Sequence, residues 1–485
     1  LVSHGVDYGL WRPTEEDLKS PLHLASLGFG SCPLVPLSYN SDCEPMLTAF
    51  SAQISFTFIL PLFPSLLDFY LNRDPSPTSL LNRIFHYLNA YKNSFAKPID
   101  SRYDIVLLGG ALGSLFSFLQ AIAAPFIGRL SDKRGRRTAL LWSMAGNILS
   151  VALWVAATDF RTFLASRIVG GLSEGNVQLA NAIATDISDE SQRGSTMALV
   201  GACFSIAFTC GPVLGAALSS ITTVAANPFA TAAGFSLFLI VLETAYLYFY
   251  LPETHPRFAK TAARPAAAAS KSSGSTTATQ SKAKADEGTP RKHTNHPALL
   301  NITHLLFLLP FSGLEFSLPF LTATLYANNT TSSPSALNGR LLSLMGLIAS
   351  LLQGTVVRRL PPLLTVRIGV LACTVSFFLL ARVSSISGLY AAGCLLAVTS
   401  ATVVTGLNSL GSFEAGEGER GVVLGKLRSW GQVGRAAGPA LFCSLFWWVG
   451  REAAYATGGV AMLAVCGIVF AALRSPQAVT KASSS

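Results

Sequence analysis

From Pro45 onward, apolar stretches of about twenty residues alternate with short polar breaks. At 1.5 Å of rise per residue, each stretch is long enough for a helix to cross a ~30 Å hydrocarbon core. The pattern predicts spans over 45–67, 104–127, 138–158, 162–186, 195–219 and 229–251. After a polar interruption come 299–325, 340–357, 363–383, 388–410, 421–448 and 453–473. Strand-like alternation is absent and glycine recurs inside the spans, which favours packed helices over a barrel. The expected fold class is an all-α membrane protein with twelve transmembrane helices in two bundles of six.

This spacing divides the chain into an N-terminal bundle, 45–251, a linker, 252–298, a C-terminal bundle, 299–473, and a tail, 474–485. The linker is rich in Ala, Ser, Thr and Pro and cannot bury enough apolar area to offset its ordering entropy. Residues 1–44 begin with Leu rather than Met and show no periodicity or signal-peptide pattern. They are left unassigned and read as a truncated or misannotated start. Within the polar stretch 68–103, Leu80, Leu81, Ile84, Phe85, Leu88 and Tyr91 follow helical spacing; a surface helix and a plain loop both fit.

Composition sharpens the membrane reading. Of 485 residues, 50% are hydrophobic and 12% charged, against about 25% charged in soluble proteins. The net charge of +10 does not mark a nucleic-acid binder, because the basic residues cluster in short loops such as Arg129–Arg137 and Arg358–Arg367, as in cytoplasmic loops of membrane proteins. That bias puts both termini in the cytoplasm. The overlapping sequons at Asn328 and Asn329 fall in an outer loop and agree with it. The eight cysteines are scattered without metal-ligand spacing, so neither metal nor cofactor is expected. No loop carries a nucleophile-elbow, HExxH or Walker string, so the chain reads as neither an enzyme nor an ATP-driven pump.

Three features carry a mechanism. The first is the loop Gly128-Arg-Leu-Ser-Asp132-Lys-Arg-Gly135-Arg136-Arg137. Gly128 and Gly135 permit a tight reversal between helix ends. Asp132 offers an acceptor to helix N-terminal amides or to an arginine. The second is the string ending Gly211-Pro212-Val-Leu-Gly215, where proline removes a backbone donor and small residues admit a close neighbour. The third is an internal repeat: Arg193-Gly194 precedes Gly211-Pro212 by 18 positions, and Arg420-Gly421 precedes Gly438-Pro439 by the same 18. Gly425 and Gly434 fit the second copy, and Glu190 and Glu417 share its offset of 227. The two bundles are therefore pseudo-symmetric, and a site between them near the midplane is expected. The second copy of the loop, Gln353 to Arg367, keeps arginines and no acid.

Charges inside spans are costly and mark function by default. Arg167 and Glu174, seven residues apart, are expected to project together from one helix, and Arg428 and Arg435 repeat that spacing. Glu315 sits among Pro310, Gly313 and Pro319. Arg167, Glu174, Glu315, Arg428 and Arg435 are the candidate substrate and coupling residues, with inter-helix ion pairing as the structural alternative. Glu243 reads as a structural pair member, and His304, near the edge of its span, as an interfacial residue.

The 128–137 loop resembles the signature loop of the major facilitator superfamily, G-x-L-x-D-x-x-G-R-[KR], and the string to Gly215 resembles its antiporter motif, with Ala198 and Ala207 replacing two glycines. Over about 45–475 the chain looks like the drug:proton antiporters of that superfamily. Phe311 to Glu315, Gly425 to Ser429 and Arg435 to Pro439 resemble a vertebrate branch described as organic-anion antiporters. The resemblance implies alternating access between two six-helix bundles and a loop that latches one arrangement. The expected substrates are small organic anions or amphipathic drugs, exchanged against protons by a monomer in the plasma membrane or an organelle membrane. The acidic residue often found in the first span of such exchangers is missing, since Met46 to Leu67 carries no charge and Ala52 or Gln53 takes that region. A proton would then fall to Glu315 or Glu174. A non-transporting receptor or scaffold on the same fold is the alternative.

Overall fold

The computed structural model describes residues 62–73, 76, 78–94, 104–219, 227–258, 294–325, 334–416 and 418–476. The N-terminal segment, most of the first span, both sequons, Glu417 and most of the linker and tail lie outside the described residues. Within them every regular element is helical: α1 Phe63–Arg73, α2 Leu80–Asn93, α3 Asp104–Arg134, α4 Arg136–Val155, α5 Phe160–Ser173, α6 Asn176–Ile187, α7 Arg193–Ser219 and α8 Ala230–Tyr250. After the linker follow α9 Pro297–Leu325, α10 Pro334–Thr355, a 3₁₀ turn Val357–Arg359, α11 Pro362–Arg382, α12 Ile386–Glu414, α13 Arg420–Val449 and α14 Arg451–Ala471. Nine of the described helices are long and apolar enough to cross a membrane. Large apolar side chains such as Trp142, Phe238, Phe249 and Trp448 face outward, a surface that water would not sustain and lipid covers.

The ends of these helices follow local chemistry. Ser79 caps α2, its side chain accepting from the Asn82 amide at 3.2 Å, so the polar stretch 68–103 does hold a helix. Asp159 caps α5 and Ser385 caps α12 in the same way. Between α3 and α4 the chain turns on Gly135 alone, at φ +96°, the left-handed region open to glycine.

The fourth span is not one helix. It stops at Ser173, passes through Glu174 (φ −72°, ψ 86°) and restarts at Asn176. The sequence contains no proline there, and the cause is a neighbour. Ser143 of α4 accepts from the Gly175 amide at 2.9 Å, and its hydroxyl hydrogen serves the Ser173 carbonyl (2.5 Å) or Asn176 Oδ1 (3.0 Å). One side chain thus satisfies the backbone groups that the break sets free.

The apolar core is partitioned by halves. Leu66, Tyr70, Leu112, Trp154 and Phe163 form one cluster and Leu140, Met144, Leu179 and Leu247 another, all from α1–α8. A larger cluster is built mainly from α9–α14, around Phe307, Phe320, Phe377, Leu407 and Tyr455. The halves meet along two seams, α3 with α13 and α7 with α10. Helix α7 runs unbroken through Gly211, Pro212 and Gly215 to Ser219, and α13 through Pro439.

Replacing Ser143 by alanine removes the hydroxyl at the break. The expected loss is about 1–3 kcal/mol, read as a lowered thermal midpoint in detergent. Ser150→Ala should cost less, because Ser150 donates to the Ser166 carbonyl within regular helix (2.7 Å).

Candidate functional site

The first turn of α13 has amide donors without intrahelical acceptors. Asp132, at the end of α3, fills that role across the seam: its carboxylate accepts from the Gly421 amide at 2.9 Å and from the Val422 amide at 2.7 Å. Arg136 reaches Asp132 at 2.5 Å and Asp186 at 2.7 Å, and Asp186 also holds Arg420 at 2.8 Å. Asp186 and the Arg136 side chain are shut off from solvent. The Arg136 amide donates to Glu253 at 2.8 Å, which ties the loop to the chain after α8. Arg137 turns to its own half and donates to the Tyr248 carbonyl at 2.5 Å. Asp132 therefore serves both acceptor roles open to it, the helix terminus and the arginine.

Small residues let the seam close. Gly128 lies against Gly421, and a Cβ at Gly425 would sit 2.7 Å from the Ala124 carbonyl. Further along, Ser429 donates to the Ala121 carbonyl at 2.6 Å and Arg428 to Gln120 at 3.1 Å. On the other side of α13, Gly434 and Gly438 lie on the backbone of α9 near Leu305 and Leu309. Toward the far end of the helix, Tyr91 of α2 shares a 2.7 Å hydrogen bond with Ser444, and Lys92 pairs with Asp104 to fasten α2 to α3.

The other seam carries hydrogen bonds between neutral groups. There Ser205 of α7 donates to Gln353 Oε1 at 2.6 Å, and Gln353 Nε2 donates to the Ala401 carbonyl at 3.1 Å. The eroded loop copy, with Arg358 and Arg359 in its 3₁₀ turn, matches this asymmetry.

Between the seams lies a cavity of about 100 Å³, lined by Gln178 and Asn181 of α6, His304 of α9, Asn408 of α12, and Arg428, Gln432 and Arg435 of α13. By helical rise, Arg428 lies about 12 Å and Arg435 about 22 Å from the latched end of α13. Arg435 pairs with Glu315 at 3.4 Å, both partly exposed. Glu174 accepts a hydrogen bond from Asn147 at 3.5 Å.

Arg167 and Glu174 do not project from one helix, because the helix that carries Arg167 ends at Ser173 and Glu174 lies in the break. Arg167 instead stacks over Phe163 (5.6 Å) and Trp154 (5.9 Å) and is not among the residues lining this cavity. His304 is not interfacial: it is 4% exposed and lines the cavity, since the bare backbone of Gly431 gives its ring room. Glu243 is buried in α8. Gln120, Gln178 and Tyr91 escape a reading of charges; the Gly431-Gln432 step facing the seventh span was the available signal for a ring packed there.

A model of the Major Facilitator Superfamily matches residues 46–439. The chain belongs to the Major Facilitator Superfamily. It is 33% identical over 412 residues to human major facilitator superfamily domain-containing protein 10, covering 83% of this chain and 87% of that one. The mouse counterpart is 32% identical over 416 residues, covering 83% and 86%. The class E tetracycline resistance protein of Escherichia coli is 33% identical over 146 residues, 30% of this chain and 35% of the other. The crystal structure of the human protein, described as the organic anion transporter MFSD10 (TETRAN), aligns with a TM-score of 0.75 at 30% identity, over 88% of this chain and 98% of that one. As a superfamily member the chain is a multi-pass membrane transporter and not an enzyme.

Hydrogen bonds to a charged acceptor contribute about 1.5–3 kcal/mol each, comparable to the few kcal/mol separating two carrier states. Asp132→Asn should therefore open the latched end. A cysteine at Asn181, with the other cysteines replaced, is expected to react with a membrane-impermeant maleimide at least fivefold faster from that end. Tyr91→Phe should raise its reactivity from the opposite end instead.

Proposed function

We propose that the chain carries small organic anions across a membrane as a monomer, the two bundles rocking about the cavity so that it opens to one side at a time. The observation that carries this reading is Arg428 and Arg435 on a cavity formed between the halves. Two guanidiniums present bidentate donors to a carboxylate or sulfonate. Their present partners are exchangeable: neutral Gln120 for Arg428, and a long, partly exposed ion pair with Glu315 for Arg435. The description of the human relative as an organic anion transporter points the same way. The basic loops support a cytoplasmic latched end, with both termini on that side, in the plasma membrane or an organelle membrane.

Coupling follows from charge balance. An entering anion that takes Arg435 releases Glu315, which then accepts a proton, and both leave when the Arg435–Glu315 pair re-forms. Anion and proton then move together, the same net flux as exchange of the anion for hydroxide. Exchange against a proton suits an amphipathic cation that competes for a carboxylate. Glu174, held by only one 3.5 Å hydrogen bond, and the likeness to tetracycline resistance proteins support that second reading.

In this account Asp132, Arg136, Asp186 and Arg420 form the cytoplasmic latch, supported by Gly128 and Gly135. Gly425, Gly434, Gly438 and Pro439 give α13 its close packing; Gly211 and Pro212 are the positions of α7 that correspond to Gly438 and Pro439, with Gly215 one turn further on.

Uptake of radiolabelled benzoate derivatives into proteoliposomes tests both readings. Arg428→Gln is expected to cut uptake at least tenfold. Glu315→Gln is expected to abolish its stimulation by an inward proton gradient while preserving anion–anion exchange. Full uptake by Arg428→Gln would contradict anion transport, and an opposite gradient dependence, seen with cations alone, would favour drug antiport.

A further inference from the structure

Two of the cavity's side chains present hydrogen-bond acceptors, not donors, and a simple anion satisfies neither. Gln178 Nε2 donates to the Ala124 carbonyl at 3.0 Å. A carbonyl can only accept, so this bond settles which way the amide points and leaves Oε1 as the free acceptor. Among the described residues no donor reaches that oxygen, and Gln178 is 3% exposed. His304 Nδ1–H donates to the Leu427 carbonyl at 2.9 Å, by the same logic. In the neutral ring Nε2 is then a bare lone pair, buried and without a donor. The ring is held in place, for a Cβ at Gly431 would come within 2.6 Å of its Cε1. Gln178 belongs to α6 and His304 to α9, so each half of the carrier contributes one of these two side chains to the lining of the cavity that also holds Arg428 and Arg435.

We infer that the cavity selects organic anions bearing a second, uncharged hydrogen-bond donor, a hydroxyl or an amide N–H, which Gln178 Oε1 and His304 Nε2 accept while the arginines hold the anionic group. A buried acceptor left unmet is penalised, so a ligand that supplies a donor gains over an analogue of the same shape that does not. A second cation is excluded as the natural occupant, because it would sit beside two guanidiniums. The donor must therefore be neutral and attached to the anion. Gln178 and His304 act as specificity determinants on opposite sides of the cavity. Their positions suggest that a donor-bearing substrate also bridges the halves, where a plain carboxylate engages mainly α13.

The inference rests on anion transport and is tested with matched probes on the purified full chain. 3-Hydroxybenzoate, whose hydroxyl is too far round the ring to bond its own carboxylate, is compared with 3-methoxybenzoate, and hippurate with N-methylhippurate. The expected result is tighter binding of the donor-bearing member of each pair by at least tenfold. In Gln178→Met or His304→Phe that ratio falls at least threefold, and in the double variant it falls to within about twofold of unity. The wild-type ratio stands as a test by itself should a variant fail to fold. Anions bound equally well with and without the donor would overturn the inference and leave anion transport intact, with water filling the acceptors. Binding of neither pair, together with uptake of cations alone, would overturn both.

Discussion

The carboxylate of Asp132 sits on the exposed amides of the first turn of α13, and the closed arrangement of the halves depends on that contact. A helix start in a membrane protein has backbone donors that lipid cannot satisfy. Here the acceptor is supplied by the other bundle. Arg136 and Arg420 converge on the buried Asp186, so the acid and basic groups around the contact neutralise one another with little bulk water. When the halves separate at this end, water can replace each lost partner. The contact is consequently strong when shut and replaceable when open, as a two-state carrier requires.

The consequences run along α13. With its first turn docked, Gly421 and Gly425 draw α13 onto α3, and Gly434 and Gly438 bring it onto α9. The same helix then holds Arg428 and Arg435 at the cavity and Ser444 at the far end against Tyr91. One rigid element thus reports the latch to the charges and to the opposite end. At the second seam Ser205 and Gln353 supply neutral hydrogen bonds, and Arg193 stacks over the Phe413 ring.

Hydropathy made much of this legible in the sequence. The spans read as 229–251 and 363–383 become Ala230–Tyr250 and Pro362–Arg382, because lipid leaves a long apolar stretch few options besides a helix. The signature loop was equally readable, since Asp132 among basic residues between two spans has few uses beyond a helix terminus or an arginine. The break at Glu174–Gly175 was hidden because its cause, the Ser143 hydroxyl, lies on another helix. The charge of Arg167 is legible in the sequence, but its aromatic stacking on Trp154 and Phe163 exists only in the folded chain. The place of His304 near a span edge points to an interface, whereas Gly431 on a facing helix gives its ring a buried seat. Gln120 and Gln178 give no such signal, because neutral amides carry no charge.

The central claim is that the halves rock as units, closing one end of the cavity as the other opens. Spin-label distances measured on one reconstituted sample test it directly, with one label pair at Lys133 and Lys426 near the latch and another at Tyr87 and Trp448 at the far end. The account predicts two populations at each end, changing reciprocally when transported anion is added: as the short distance gains at one end, the long distance gains at the other. Distances that lengthen together at both ends, or a single population that anion leaves unchanged, would contradict it.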